Sequence, residues 1–169
     1  DTPADQTEVF RNAVTAEGGV DAVFLAIRGN QARVIAPQLS VAGLGGRPRV
    51  GTSTLTFGTG QAQEDQILDG IVFPTERWST GAGPRALPPQ ASVAGELPTA
   101  RGPAARLFAF GFDAWLLSGY LEHLSRNGEA SIEGATGVLR VAADGNVMRQ
   151  PAWATWRSGH VVPQADVGG

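Results

Sequence analysis

The side chains that could perform catalysis are few in this sequence of 169 residues. Histidine occurs twice, at His123 and His160, and Cys is absent. Neither His has a second His or a Cys at metal-binding spacing, so no metal site is predicted. A Ser-His-Asp hydrolase is a weaker alternative, because no G-x-S-x-G sequence is present and the three residue types would have to meet through the fold. We therefore expect no catalytic residues, no cofactor and no enzymatic activity.

The composition excludes further classes of protein. All 13 basic residues are Arg, so the Lys of a Walker phosphate loop, a Schiff base or a pyridoxal-phosphate site is missing. Without Cys, thiol catalysis and disulfides are excluded. The 16 acidic residues give a net charge of -3 without any basic cluster, which argues against nucleic-acid binding.

Polar residues at the ends of two predicted strands form a candidate ligand cleft. These residues are, in chain order, Arg28, Gly29, Asn30, Thr52, Ser53 and Thr54. In open α/β sheets, ligands bind at the carboxyl ends of the strands. Hydroxyl groups and the first amides of a helix could hold a carboxylate or a peptide group there, although the same residues are also ordinary turn formers.

The elements that must position these residues alternate between helices and strands. Helices are predicted at 6–17, 31–42 and 61–68, and strands at 20–27, 49–52 and 71–73. The nearly continuous apolar run at 20–27 is typical of a strand covered on both faces. The alternation over residues 6–73 predicts an α/β unit with a mostly parallel sheet flanked by helices.

Residues 74–103 differ from the rest in composition. Six of the 11 Pro residues lie there and apolar residues are few, which predicts a long, irregular, exposed arm. An aromatic residue beside an Arg suits an interface anchor, so Arg77 and Trp78 are the candidate contacts for a protein partner.

The strongest predicted helix spans residues 104–126, after Pro103 and before Asn127. Apolar residues cover most of its circumference, which predicts burial on more than one side. Residues 130–163 then predict an antiparallel β hairpin tail. Its strands lie at 130–141 and 147–157, around a turn at 143–146, with a last strand at 160–162.

The sequence begins at Asp1 without a Met, a positively charged start or an apolar leader. No run reaches the length of about 18 apolar residues that a membrane span requires. We expect the sequence to be a piece of a longer protein, with any signal peptide or lipid anchor outside it.

One run resembles a known family. Residues 106–117 (RLFAFGFDAWLL) are similar to the hallmark of the LppC lipoprotein family, the LpoA-type activators of class A penicillin-binding proteins. Other similar pieces occur in matching order. They are residues 21–26 with 31–33, residues 68–71, residues 134–139, and Asp144, Asn146, Arg149 and Trp153.

The resemblance extends over residues 8–163 and implies a fold. Family members are expected to be outer-membrane lipoproteins whose C-terminal domain resembles type I periplasmic binding proteins, with two α/β lobes and a cleft. The chain 1–169 would be a single fragment of that domain: most of the second lobe, the long helix of the first lobe and the closing hairpin. With the first lobe's sheet missing, helix 104–126 would expose an apolar patch. We expect the fragment to dimerise, to swap the helix or to fold it back onto its own sheet.

The resemblance also implies a function without catalysis. The protein would act from the periplasmic side of the outer membrane and activate a class A penicillin-binding protein, a peptidoglycan synthase, by contacting a docking domain. The alternative is a periplasmic solute-binding lobe for an amino acid or a peptidoglycan fragment.

Overall fold

Helices and strands alternate over the first half of the chain, as the sequence pattern predicts. The helices are Thr7–Thr15 (α1), Gly29–Val41 (α2), Ala62–Asp65 (α3), Gln90–Glu96 (α4) and Ala104–Arg126 (α5). The strands are Val23–Leu25 (β1), Arg49–Gly51 (β2), Ile71–Thr75 (β3), Ile132–Glu133 (β4), Val138–Val141 (β5), Val147–Gln150 (β6), Ala152–Arg157 (β7) and His160–Pro163 (β8). The structure is a computed structural model and describes residues 3–164.

The chain forms two units, and the first is discontinuous in sequence. It contains the residues up to Pro74 and those from Trp153 onward, while the second unit is Thr75–Ala152. The first unit holds a five-stranded sheet in the order β1-β2-β3-β7-β8. Strands β1, β2 and β3 are parallel, and β7 and β8 are antiparallel. The predicted mixed α/β class, with a mostly parallel sheet and an antiparallel C-terminal hairpin, is therefore confirmed.

The core of the first unit joins the sheet to α2. It contains Leu25, Ala32, Ile35, Leu39, Leu44, Leu55, Leu68, Ile71, Phe73, Ala154 and Trp156. The indole N–H of Trp156 donates a hydrogen bond of 3.0 Å to the carbonyl oxygen of Leu55, so the buried donor is satisfied. Full burial of each large apolar side chain contributes about 1.5–3 kcal/mol.

Strand β1 differs from its prediction in length and cover. The apolar run at 20–27 contains only three strand residues, and β1 lies at the edge of the sheet. Leu25 is buried, but the side chain of Phe24 is 66% exposed. The prediction of cover on both faces is therefore wrong, because an apolar run alone does not distinguish an edge strand from a central one.

The second unit holds a three-stranded antiparallel sheet in the order β4-β5-β6. Its core contains Trp78, Ala100, Ala105, Ala109 and Ala135. The ring of Trp78 stacks on that of Phe108, with the centroids 4.8 Å apart. Phe108 lies on α5, and the small side chains of Ala105 and Ala109 let that helix approach Trp78 closely.

The predicted strand at 147–157 is two strands in two different sheets. β6 ends at Gln150 and pairs with β5, whereas β7 begins at Ala152 and belongs to the five-stranded sheet. Pro151 lies between them. Proline has no N–H to donate to a ladder, so it separates the two strands.

Residues 74–103 contain more regular structure than predicted. Besides the end of β3, they include 3-10 turns at Arg77–Thr80 and Pro98–Ala100 and the seven-residue helix α4. Trp78 and Ala100 are buried. The prediction of an irregular, exposed arm is wrong at these positions, since a Pro-rich segment can still bury its few apolar side chains.

The predicted bounds of the long helix α5 are confirmed, but its predicted burial on more than one side is not. Its buried residues are Ala105, Ala109, Asp113 and Leu124. Large apolar side chains on it are exposed, namely Leu107, Phe110, Trp115, Tyr120 and Leu121. The exposed fractions reach 72% at Leu107 and 68% at Trp115. The apolar patch that the resemblance implied is therefore present, and burial on more than one side is not.

Candidate functional site

The predicted ligand-cleft residues lie at the carboxyl ends of β1 and β2. Arg28 precedes the first residue of α2, and its backbone N–H donates to the side-chain oxygen of Gln31 at 3.1 Å. Gly29 is buried, and a Cβ there would lie 3.0 Å from the carbonyl oxygen of Phe57. Asn30 is exposed in the first turn of α2. The start of α2 therefore packs closely against the loop that follows β2.

The Thr residues of the cleft bond to each other and to the end of β1. The hydroxyl of Thr54 donates to the carbonyl oxygen of Ile27 at 2.7 Å. The hydroxyls of Thr52 and Thr54 lie 2.6 Å apart, so Thr52 donates to Thr54. Both hydroxyl protons are thus used within the protein. These two hydroxyls can therefore offer a ligand only their oxygen lone pairs, which cannot bind a carboxylate.

A carboxylate that the sequence pattern places on a solvated helix face is buried beside this region. Asp65 is 2% exposed, and its Oδ1 accepts hydrogen bonds from Arg33 Nε at 2.9 Å and from the terminal guanidinium nitrogen at 2.7 Å. Its Oδ2 accepts from the backbone N–H of Thr59 at 2.8 Å. Gly58 allows this approach, since a Cβ at that position would overlap Oδ2. The carboxylate therefore ties the loop at residues 58–59 to α2.

The second unit has two comparable buried carboxylates. Asp113 on α5 accepts from the backbone N–H groups of Ala135 at 2.6 Å and Thr136 at 2.9 Å, and also from the Thr136 hydroxyl. Glu76 accepts from Arg106 Nε at 2.6 Å and from the Thr75 hydroxyl at 3.1 Å. Each carboxylate is fully engaged in joining two segments. A buried charge that is paired and hydrogen-bonded in this way is a structural link.

Two exposed carboxylates have lowered pKa values. The hydroxyl and backbone N–H of Thr7 lower the pKa of Asp5. The backbone N–H of Asn146, followed by its side-chain amide, lowers the pKa of Asp144 in the turn between β5 and β6. Hydrogen bonds to the charged form favour ionisation, so both groups are carboxylates at neutral pH. Neither lies in the predicted cleft.

The described residues 3–164 contain no group of three or more His, Cys, Asp or Glu side chains that could hold a metal ion. His123 and His160 are both exposed. No helix within the same residues is long and apolar enough to cross a membrane.

The predicted partner contacts, Arg77 and Trp78, differ in accessibility. Trp78 is 1% exposed, and its indole N–H donates to the carbonyl oxygen of Pro88 at 2.8 Å. The expectation of an exposed anchor at Trp78 is therefore wrong, because its ring completes the core of the second unit. Arg77 is partly exposed, and a terminal guanidinium nitrogen lies 3.4 Å from the carboxylate Oε1 of Glu133.

The fold resembles that of several solved structures. The LpoA (YraM) C-domain from Haemophilus influenzae, described as a regulator of PBP1A, matches with a TM-score of 0.77 and 20% identity over 98% of this chain and 50% of that one. The leucine-binding protein LivK from Thermotoga maritima matches with a TM-score of 0.60 and 14% identity over 96% of this chain and 48% of that one. The class defined by this fold is therefore periplasmic-binding-protein-like α/β.

Sequence comparison gives the family within that class. The family model described as LppC putative lipoprotein matches residues 12–159, so the chain belongs to the LppC family. Penicillin-binding protein activator LpoA of Dickeya chrysanthemi is 31% identical over 153 residues, which is 89% of this chain and 22% of that protein. The protein of the same name from Pantoea ananatis is 29% identical over 95% of this chain and 23% of its own length. The chain thus spans less than a quarter of these relatives.

Proposed function

We propose that the protein to which this chain belongs activates a class A penicillin-binding protein in peptidoglycan synthesis. The observation that carries this proposal is the match to the LppC family over residues 12–159, together with relatives that are named penicillin-binding protein activators. The Haemophilus influenzae structure of similar fold is described as a regulator of PBP1A, which supports a partner of that class.

The activation would need no catalysis by this chain. Asp65, Glu76 and Asp113 are the buried carboxylates among residues 3–164. Each is engaged by an Arg, by backbone N–H groups or by a hydroxyl that joins two segments. This use of the carboxylates supports a binding role, because a general acid or base must be free to exchange a proton with a substrate.

The chain would be one part of a two-lobed domain on the periplasmic side of the outer membrane, anchored by a lipid outside this sequence. The Haemophilus influenzae C-domain is covered only to 50%, which supports a missing remainder of similar size. The exposed apolar side chains of α5 support the same idea, since a large apolar patch on a monomer indicates a surface that another segment covers.

Binding and stimulation of the synthase test this proposal. The full-length protein should bind a purified class A penicillin-binding protein and raise its rate of glycan synthesis or cross-linking. Failure to bind at several salt concentrations would contradict it. Arg77 is the candidate contact that we retain, and Arg77→Glu should weaken binding. Arg85→Glu, which changes an exposed Arg of the same unit, is the matched control.

Solute binding is the second candidate function, because polar groups do gather at the carboxyl ends of β1 and β2. Calorimetry on the complete two-lobed domain, with amino acids and peptidoglycan fragments as titrants, tests it. We expect no heat of binding for free amino acids, since Thr52 and Thr54 have used their hydroxyl protons within the protein. Saturable binding that is lost in Thr54→Val would favour the alternative.

A further inference from the structure

The outer strand of the three-stranded sheet borders an open groove. The groove has a volume of about 240 Å³ and is lined by Val138, Arg140, Met148, Arg149 and Gln150. Facing residues of β5 and β6 pair Val138 with Gln150 and Arg140 with Met148, so these four share one face of the sheet. Leu139 and Val141 occupy the opposite face and are buried. The groove therefore lies on the exposed face, whereas Arg149, which pairs with Leu139, directs its guanidinium to the opposite face, toward Phe110 of α5.

Strand β6 has a free edge. It is the last strand in the order β4-β5-β6, and all four of its residues are exposed. The backbone N–H of Ala142 donates to the carbonyl oxygen of Asn146, which sets the hydrogen-bond alternation along the ladder. By this alternation, the backbone groups of Met148 and Gln150 form hydrogen bonds with β5, whereas those of Val147 and Arg149 point away from it. An edge of this kind can pair with another extended chain.

The charge beside this edge is positive and uncompensated. Arg140 and Arg149 form no ion pair with any carboxylate in residues 3–164. The guanidinium of Arg149 instead lies 5.1 Å from the ring centre of Phe110 on α5, which orients it. Asp144, in the adjoining turn, has its carboxylate engaged by Asn146. A strand carrying carboxylates would supply the missing counter-charges.

We propose that β6 is a docking edge for an extended, acidic segment of a partner protein, which adds to the sheet as a fourth strand. The backbone groups of Val147 and Arg149 bond to the incoming strand. Arg149 pairs with its acidic side chains on the face toward α5, and Met148 packs against its apolar ones on the opposite face. Strand addition of this kind obtains affinity from main-chain hydrogen bonds and specificity from alternate side chains. The proposal goes beyond activation of a synthase, since it concerns the chemistry of the docked segment and not the identity of its protein.

Fluorescence anisotropy with a labelled eight-residue peptide of alternating Glu and Val tests the proposal on the full-length protein. We expect saturable binding that weakens about fivefold in Arg149→Gln, because an exposed charge pair contributes up to about 1 kcal/mol. Arg85→Gln, which removes a charge elsewhere in the second unit, should bind within about twofold of the unchanged protein.

Two further measurements separate strand addition from simple charge attraction. Val147→Pro removes an outward N–H but no bond to β5, and it should abolish binding. A peptide N-methylated at alternate residues should also fail to bind to the unchanged protein, which makes the test independent of how any variant folds. Equal binding by the N-methylated peptide, or by a Gln-for-Glu peptide, would overturn the proposal. So would self-association of the protein that Val147→Pro removes, because the edge would then serve a second copy.

Discussion

Asp113 is the residue on which the second unit depends most clearly. It lies on α5, is 4% exposed, and accepts three hydrogen bonds from Ala135 and Thr136. A Cβ on Gly134 would lie 2.6 Å from Oδ1 of Asp113, so only glycine fits at position 134. The carboxylate therefore fixes the segment between β4 and β5 against the helix.

Replacement of this carboxylate should destabilise the second unit. Asp113→Ala leaves two buried backbone N–H groups without an acceptor, and each such group costs about 1–3 kcal/mol. We expect a loss of at least about 2 kcal/mol, with faster hydrogen exchange at the amides of Ala135 and Thr136. Asp144→Ala removes an exposed carboxylate of the same unit and is the control. Unchanged exchange at both amides in Asp113→Ala would contradict this role.

Single residues were the least predictable level of this structure. Trp78 lies in a polar stretch of the sequence and Trp115 in a largely apolar helix, yet Trp78 is 1% and Trp115 is 68% exposed. Asp65 and Asp113 could not be distinguished from solvent-exposed acids, because their hydrogen-bond partners are 6 to 32 residues away in the sequence. Residue type and local spacing do not record which distant segment approaches a side chain.

Helices and strands were predicted better than single residues, because apolar periodicity and the Gly or Pro residues that end an element are local signals. Helix α5 begins after Pro103 and ends before Asn127, as predicted. The division of residues 147–157 into β6 and β7 was missed, although Pro151 was visible as a signal. The order of strands within each sheet depends on long-range pairing and could be expected only from the family resemblance.

The turn into β5 provides a test at the scale of elements. A Cβ on Gly137 would overlap the carbonyl oxygen of Gln150 and lie 3.2 Å from the side chain of Arg149, so Gly137→Ala forces β5 and β6 apart. We expect a loss of about 1–3 kcal/mol, measured by denaturant unfolding. Gly128→Ala is the matched control, since nothing lies within 4 Å of a Cβ there. Equal stability of the two variants would be inconsistent with this packing.

The exposed apolar side chains of α5 are a property of the whole molecule. Leu107, Trp115 and Leu121 would leave water if another surface covered the helix. Burial of such side chains contributes about 1.5–3 kcal/mol each, which is sufficient to drive association of separate chains. The expected dimerisation of the isolated fragment remains a prediction that follows from this patch.

Light scattering over a dilution series measures that association. The isolated chain should form dimers at high concentration, and Leu107→Glu with Trp115→Glu should shift it to monomers. Ser92→Glu with Ser131→Glu adds the same charge at exposed positions outside α5 and serves as the control. A compact monomer at every concentration would exclude association through this helix.

The discontinuity of the first unit constrains when that unit can be completed during synthesis. Its core requires Ala154 and Trp156, which are synthesised only after the whole of Thr75–Ala152 has been made. Until then, β3 lacks its neighbour β7, and apolar core residues such as Phe73 lack part of their packing. If the second unit folds first, it shortens the loop that must close and lowers the entropic cost of closure. Chains that are truncated before Trp156 contain β1, β2 and β3, three of the five strands of the sheet. We nevertheless expect them to fold inefficiently and to be recognised by chaperones or degraded by proteases.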